Sequence, residues 1–143
     1  MKITHIITDL DTGGAEIMLY KLLASLHNEA LNSTVISLMG RGKITERIEA
    51  LGVKVETLDL GQGERPSWQT IKKLRQFMRA FNPDIVQGWM YHGNIAATVA
   101  VFLFDPMRRK VKLFWNVRQT LYDIKSEKIQ TRWLIVLGRW LSF

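Results

Sequence analysis

Side chains able to bind or transfer something gather in three short stretches: Asp11 to Glu16 (DTGGAE), Tyr91 to Asn94 (YHGN) and Asn116 to Thr120 (NVRQT). In the first, Gly13 and Gly14 are followed at once by a helical pattern. Paired glycines let the backbone take conformations that a side chain forbids and let a ligand come close. The free N–H groups of Ala15 and Glu16, at the positive end of a helix, favour an anion there. An ordinary tight turn without a ligand can be built from the same residues. Asp9 and Asp11 suit either a magnesium pocket or the capping of the next helix, the commoner use.

Other chemistries lack their residues. The chain has no cysteine, hence no disulfide framework, thiolate chemistry or cysteine zinc site, and His5, His27 and His92 are scattered without ligand spacing. This usage suits a reducing cytoplasm. Met1 and Lys2 lead directly into a strand pattern, and the longest apolar run, Ile95 to Phe104, is too short to span a bilayer. The expectation is a soluble or peripheral chain. At 143 residues and 47% hydrophobic content it is one domain with a real core.

The polar stretches must be held by an alternation of strands and helices. Ile3 to Leu10 reads as a strand, and Ala15, Met18, Leu19, Leu22, Leu23 and Leu26 form one helical face. Thr34 to Met39 is a second strand. Ile44, Ile48 and Leu51 mark a short helix closed by Gly52, and Val53 to Leu58 is a third strand. Ser67 is placed to cap a long helix with Trp68, Ile71, Leu74, Phe77, Met78 and Phe81 inward and Lys72, Lys73, Arg75 and Arg79 outward, stopped by Asn82 and Pro83. Asp84 to Trp89 is a fourth strand, with Tyr91 to Asn94 a loop after it. Asn94 is placed to cap the helix from Ile95, where Ala96, Ala97 and Ala100 allow close packing. Lys112 to Val117 is a fifth strand, and Ile129, Trp133, Val136, Leu137, Trp140 and Leu141 mark a last helical face.

This order predicts an α/β, Rossmann-like, doubly wound and mainly parallel sheet with helices on both faces. Ligands in such sheets lie beyond the carboxyl ends of the strands, where strand order reverses, so the three polar stretches should meet there. A nicotinamide dehydrogenase would need Gly-x-Gly-x-x-Gly and an acidic residue ending the second strand; DTGGAE and the ending Met39, Gly40, Arg41 match neither. A Walker phosphate loop is absent too. Arg41 facing a 2′-phosphate is a weak signal without the glycine fingerprint.

Together, TDLDTGGAE, PDIVQGWMYHGN and NVRQTLYDIKSEK resemble the N-terminal domain of retaining glycosyltransferases of family 4, of GT-B architecture, over nearly the whole chain. The resemblance implies an acceptor-side domain acting with a second domain that holds a nucleotide-sugar, and transfer to a saccharide or lipid-linked acceptor in cell-surface polysaccharide synthesis. No metal or cofactor is implied. It places Gly13 and Gly14 near donor diphosphate or acceptor, His92 by the transferred sugar, Arg118 on acceptor or phosphate, and Tyr91 and Asn94 among the substrate-binding residues. Glu16 reads as a first-turn helix charge, Trp89 and Tyr91 as sugar-stacking or core aromatics, and His5 and His27 as structural. The chain ends at Phe143, before a donor-binding domain, as an expressed fragment or a truncated product would, and 1–143 alone is expected to be inactive.

The net charge of +7 is uneven, because basic residues crowd the stretch after residue 100. Such asymmetry suits nucleic acid, anionic lipid or a phosphorylated ligand, or a solvated surface without a partner. Nucleic acid lacks any reader motif here and is not expected. The apolar face from Ile129 to Leu141, flanked by Lys125, Lys128, Arg132 and Arg139, is expected either to pack on the domain or to lie on a membrane surface. Left uncovered, it would drive self-association.

Overall fold

The computed structural model describes residues 1–26, 30, 32–107 and 110–117. Five parallel strands run in the order β3-β2-β1-β4-β5, where β1 is Ile3–Ile7, β2 Ser33–Ser37, β3 Lys54–Thr57, β4 Ile85–Trp89 and β5 Lys112–Asn116. The intervening helices are α1 (Gly14–Ser25), α2 (Thr45–Glu49), α3 (Trp68–Phe81) and α4 (Met90–Phe104). None of the described helices is long and apolar enough to cross a membrane.

The two-residue period of a strand divides the core into two layers. Ile7 and Val35 pack with Leu19 and Leu23 of α1, Ile48 of α2 and Trp89 on one face. Their neighbours Ile6 and Ile36 pack with Leu74 and Met78 of α3 and Ala97 and Val101 of α4 on the other. Helices therefore cover both faces, and the strand order reverses between β1 and β4. Burying apolar surface on both sides of these strands is what makes parallel pairing stable.

Local signals act where the sequence puts them. Ser67 caps α3 by accepting from the Thr70 N–H at 3.2 Å, and Gly52 takes φ +80 just beyond α2, a conformation that L side chains rarely adopt. Ala97 and Ala100 are fully buried against the sheet. Two expectations are corrected. Residues 91–94 are no loop, because α4 begins at Met90 directly from β4. Trp68, expected inward, is 78% exposed. Each three-residue step around a helix falls about 60° short of a full turn, which carries Trp68 off the arc buried at Leu74 and Met78.

Candidate functional site

Because β1 and β4 are parallel neighbours, paired from Ile3↔Ile85 to Ile6↔Gly88, the segments leaving their carboxyl ends start side by side at the switch point. Gly13 and Gly14 follow β1, and Tyr91, His92 and Asn94 follow β4. Arg118, His27 and the face from Ile129 to Leu141 lie outside the described residues.

The glycine turn is built differently from its expectation. Gly13, the N-cap of α1, has φ −119 and ψ 176, extended backbone open to any residue, so conformational freedom is not why glycine stands there. A Cβ on Gly13 would collide with the Glu16 carboxylate, and a Cβ on Gly14 would meet nothing within 4 Å. Glu16 is only 8% exposed. Its carboxylate therefore lies over the first turn of α1, where an anion is favoured. The spacing of N-cap and third helical residue, the frame of a capping box, is the sequence signal for this. Asp9 accepts the Asp11 N–H at 3.0 Å, which holds the turn.

The β4–α4 junction is strained. Met90 has φ +62, a left-handed conformation costing a non-glycine residue about 1–2 kcal/mol; nothing in the residue type announces it. This sharp entry lets α4 lie directly on β1, where a Cβ on Gly93 would sit 2.6 Å from the Ile6 carbonyl oxygen. Asn94 is consequently no cap: Trp89 occupies that position. Asn94 is 2% exposed, and neither its Oδ1 nor its Nδ2 has a hydrogen-bond partner among the described residues. Each such buried orphan costs about 1–3 kcal/mol. Its backbone carbonyl accepts from the Thr98 hydroxyl at 2.9 Å, and that hydroxyl accepts from Trp115 Nε1 at 3.2 Å.

Trp89 is core, 2% exposed, so it is closed to sugar stacking, and its Nε1 donates to His5 Nδ1 at 3.3 Å. His5 is structural as expected: burial pushes its pKa down to about 4, partly opposed by Gln87 beside it. Arg41 donates to Glu49 through both of its terminal nitrogens, an exposed ion pair.

Exposed His92 lines an apolar groove of about 290 Å³ between α3 and α4, with Leu38, Leu60, Ile71, Leu74 and Ile95. Residue spacing carries no sign of it, since its walls come from four separate segments. A larger groove of about 390 Å³ lies under α3 toward the amino-terminal starts of β2 and β3, away from the switch point. Its Lys54 pairs with Glu56, and its Lys73 with Asp59.

A doubly wound sheet whose order reverses between two helix-initiating turns is a Rossmann-like domain with its crevice at that reversal. The model of Glycosyltransferase Family 4 matches residues 12–142, and the chain belongs to that family. No curated protein matches the sequence significantly.

Proposed function

We infer that this domain is the acceptor-side half of a retaining GT-B glycosyltransferase, completed by a donor-binding domain, which moves a sugar from a nucleotide-sugar to a saccharide or lipid-linked acceptor in surface polysaccharide synthesis. The carrying observation is the position of Gly13, Gly14 and His92 on adjacent strand ends at the switch point of a family 4 domain. Gly14 has no neighbour within 4 Å that a Cβ would meet, and Gly13 faces only the end of the Glu16 side chain, which supports close approach of a ligand at this turn. In this reading the first turn of α1 faces diphosphate or acceptor, His92 reaches toward the transferred sugar, Tyr91 and Arg118 complete the substrate contacts, and Asn94, buried like Trp89, joins them only if the second domain or a ligand opens this junction.

Transition-state stabilisation of a leaving diphosphate needs several convergent positive groups, and the resemblance puts most of these on the partner domain. Purified residues 1–143 should therefore transfer no sugar from a nucleotide-sugar donor to any acceptor. Turnover by this chain alone, followed by release of nucleoside diphosphate, would overturn the half-enzyme reading.

A further inference from the structure

We propose that β3 is a docking edge for a second copy of this chain, the two strands pairing antiparallel about a two-fold axis at Val55. Among the described residues β3 is the outermost strand on its side of the sheet, paired with β2 alone. In a parallel ladder the N–H and C=O of one residue point the same way, and successive residues alternate. The Leu58 N–H donates to the Ser37 carbonyl at 2.9 Å, and the Lys54 carbonyl accepts from the Thr34 hydroxyl at 3.0 Å. Positions 54, 56 and 58 thus turn their backbone groups toward β2. Val53, Val55 and Thr57 turn theirs outward, a row of donors and acceptors along the open edge.

Such edges are commonly blunted by proline, a bulge or charge. β3 has no proline, and its two charges, Lys54 and Glu56, stand one residue to either side of Val55. In an antiparallel pair centred on Val55, that residue faces its own counterpart and exchanges both backbone bonds with it. Val53 then faces Thr57, and Lys54 faces Glu56 at two symmetric places. Those places are the closer, non-hydrogen-bonded sites of the ladder, where side chains of opposite charge attract. Lys54 and Glu56 share one face of the strand and already pair within the chain at 2.6 Å, the lysine side chain 72% exposed. Each lysine would therefore lie between its own glutamate and that of the second copy, the self-complementarity that a two-fold contact requires.

The surroundings leave room for it. On the face bearing these charges α3 stands back from the edge, and the groove of about 390 Å³ between them is lined by Lys54, Glu56, Lys73, Gln76 and Ala80. Pairing joins the two grooves into one trough flanked by both copies of α3. A polyanion fits this edge worse, since Glu56 and Asp59 already pair with its lysines. β3 lies two strands from the reversal between β1 and β4, so the dimer leaves the crevice open, and the inference needs nothing from the sugar-binding reading of the rim.

The test is sedimentation equilibrium of the purified chain from low micromolar to submillimolar concentration, with circular dichroism as the check on folding. Short strands of four residues make a small interface, so a monomer–dimer equilibrium in the micromolar range is expected, weakened by salt. Lys54→Glu and Glu56→Lys each set like charges against each other at both symmetric places and should raise the dissociation constant on the order of tenfold. Both break only an exposed ion pair, which the fold tolerates. An equimolar mixture of the two variants should regain the dimer as a heterodimer, and the double variant Lys54→Glu, Glu56→Lys should regain it alone. The proposal fails if wild type stays monomeric throughout, or if either folded single variant associates undiminished, which would put the contact elsewhere on the chain. It also fails if the mixture or the double variant stays monomeric.

Discussion

The close contact between α4 and the end of β1 makes Gly93→Ala the most exposing single change. The added methyl would lie 2.6 Å from the Ile6 carbonyl oxygen and 3.4 Å from its carbon and from the Ile7 Cα. Ile6 belongs to the central strand, paired with Ile36 on one side and Gly88 on the other, so its carbonyl has no room to retreat. The helix must lift instead, by most of an ångström, and in lifting it loosens Ala97, Ala100 and Val101, all buried against the sheet. Overpacking of this kind costs about 2–3 kcal/mol, which for a domain of this size lowers Tm by about 5–10 °C. Urea unfolding measures it as a lower midpoint at unchanged slope. Gly14→Ala is the matched control, because its Cβ meets open space and should leave stability unchanged or raise it by a few tenths of a kcal/mol. A Gly93→Ala variant within about 0.5 kcal/mol of wild type would refute the direct seating of α4 on β1.

Three further outcomes follow from the same geometry. His5 stays neutral when folded because its pKa is pushed down to about 4, against 6.5 ordinarily, so in that interval the unfolded chain takes up a proton that the folded one refuses. Its contribution is intact above pH 6.5 and is lost as pH falls toward 4, amounting to about 2 kcal/mol by pH 5. In His5→Gln the denaturation midpoint should depend less on pH across that window, and an unaltered slope would show that His5 is not responsible. Ser67→Ala removes the cap on α3 and should cost about 1 kcal/mol in urea unfolding; no loss would mean the cap is idle. Glu16→Gln removes the charge over the first turn of α1 and should tighten pyrophosphate binding about two- to fivefold by calorimetry, whereas weaker binding would make Glu16 a contributor to the ligand site rather than a competitor.

Much of this architecture was legible because its signals are local. Ile6 and Ile7, or Val35 and Ile36, sit as neighbours on opposite faces, which only a strand buried on both sides tolerates, and Ser67 and Gly52 are punctuation read from residue type. What escaped depends on contacts between segments distant in sequence. Residues 91–94 look like a loop until Gly93 is seen to fit beneath the Ile6 carbonyl, and Asn94 looks like a cap until the left-handed Met90 moves the helix start back to Trp89. Repeated three-residue spacing in α3 drifts around the helix, so Trp68 shares the pattern of Ile71 and Leu74 without sharing their face. At the candidate site, the glycines after β1 are visible in the sequence, but the Glu16 carboxylate over Gly13, the place of His92 inside α4 and the groove between α3 and α4 depend on how the segments pack.

The central claim, that the reversal between β1 and β4 forms the ligand crevice, is tested most directly by recording amide spectra of the isotope-labelled chain while adding pyrophosphate and then nucleotide-sugars. Shifts are expected to concentrate at residues 13–16 and 90–94, with the opposite ends of the strands, at Lys2, Asp84 and Lys112, unmoved. Shifts confined to those opposite ends, or no response from Gly13, Gly14 and His92 at millimolar ligand, would contradict it.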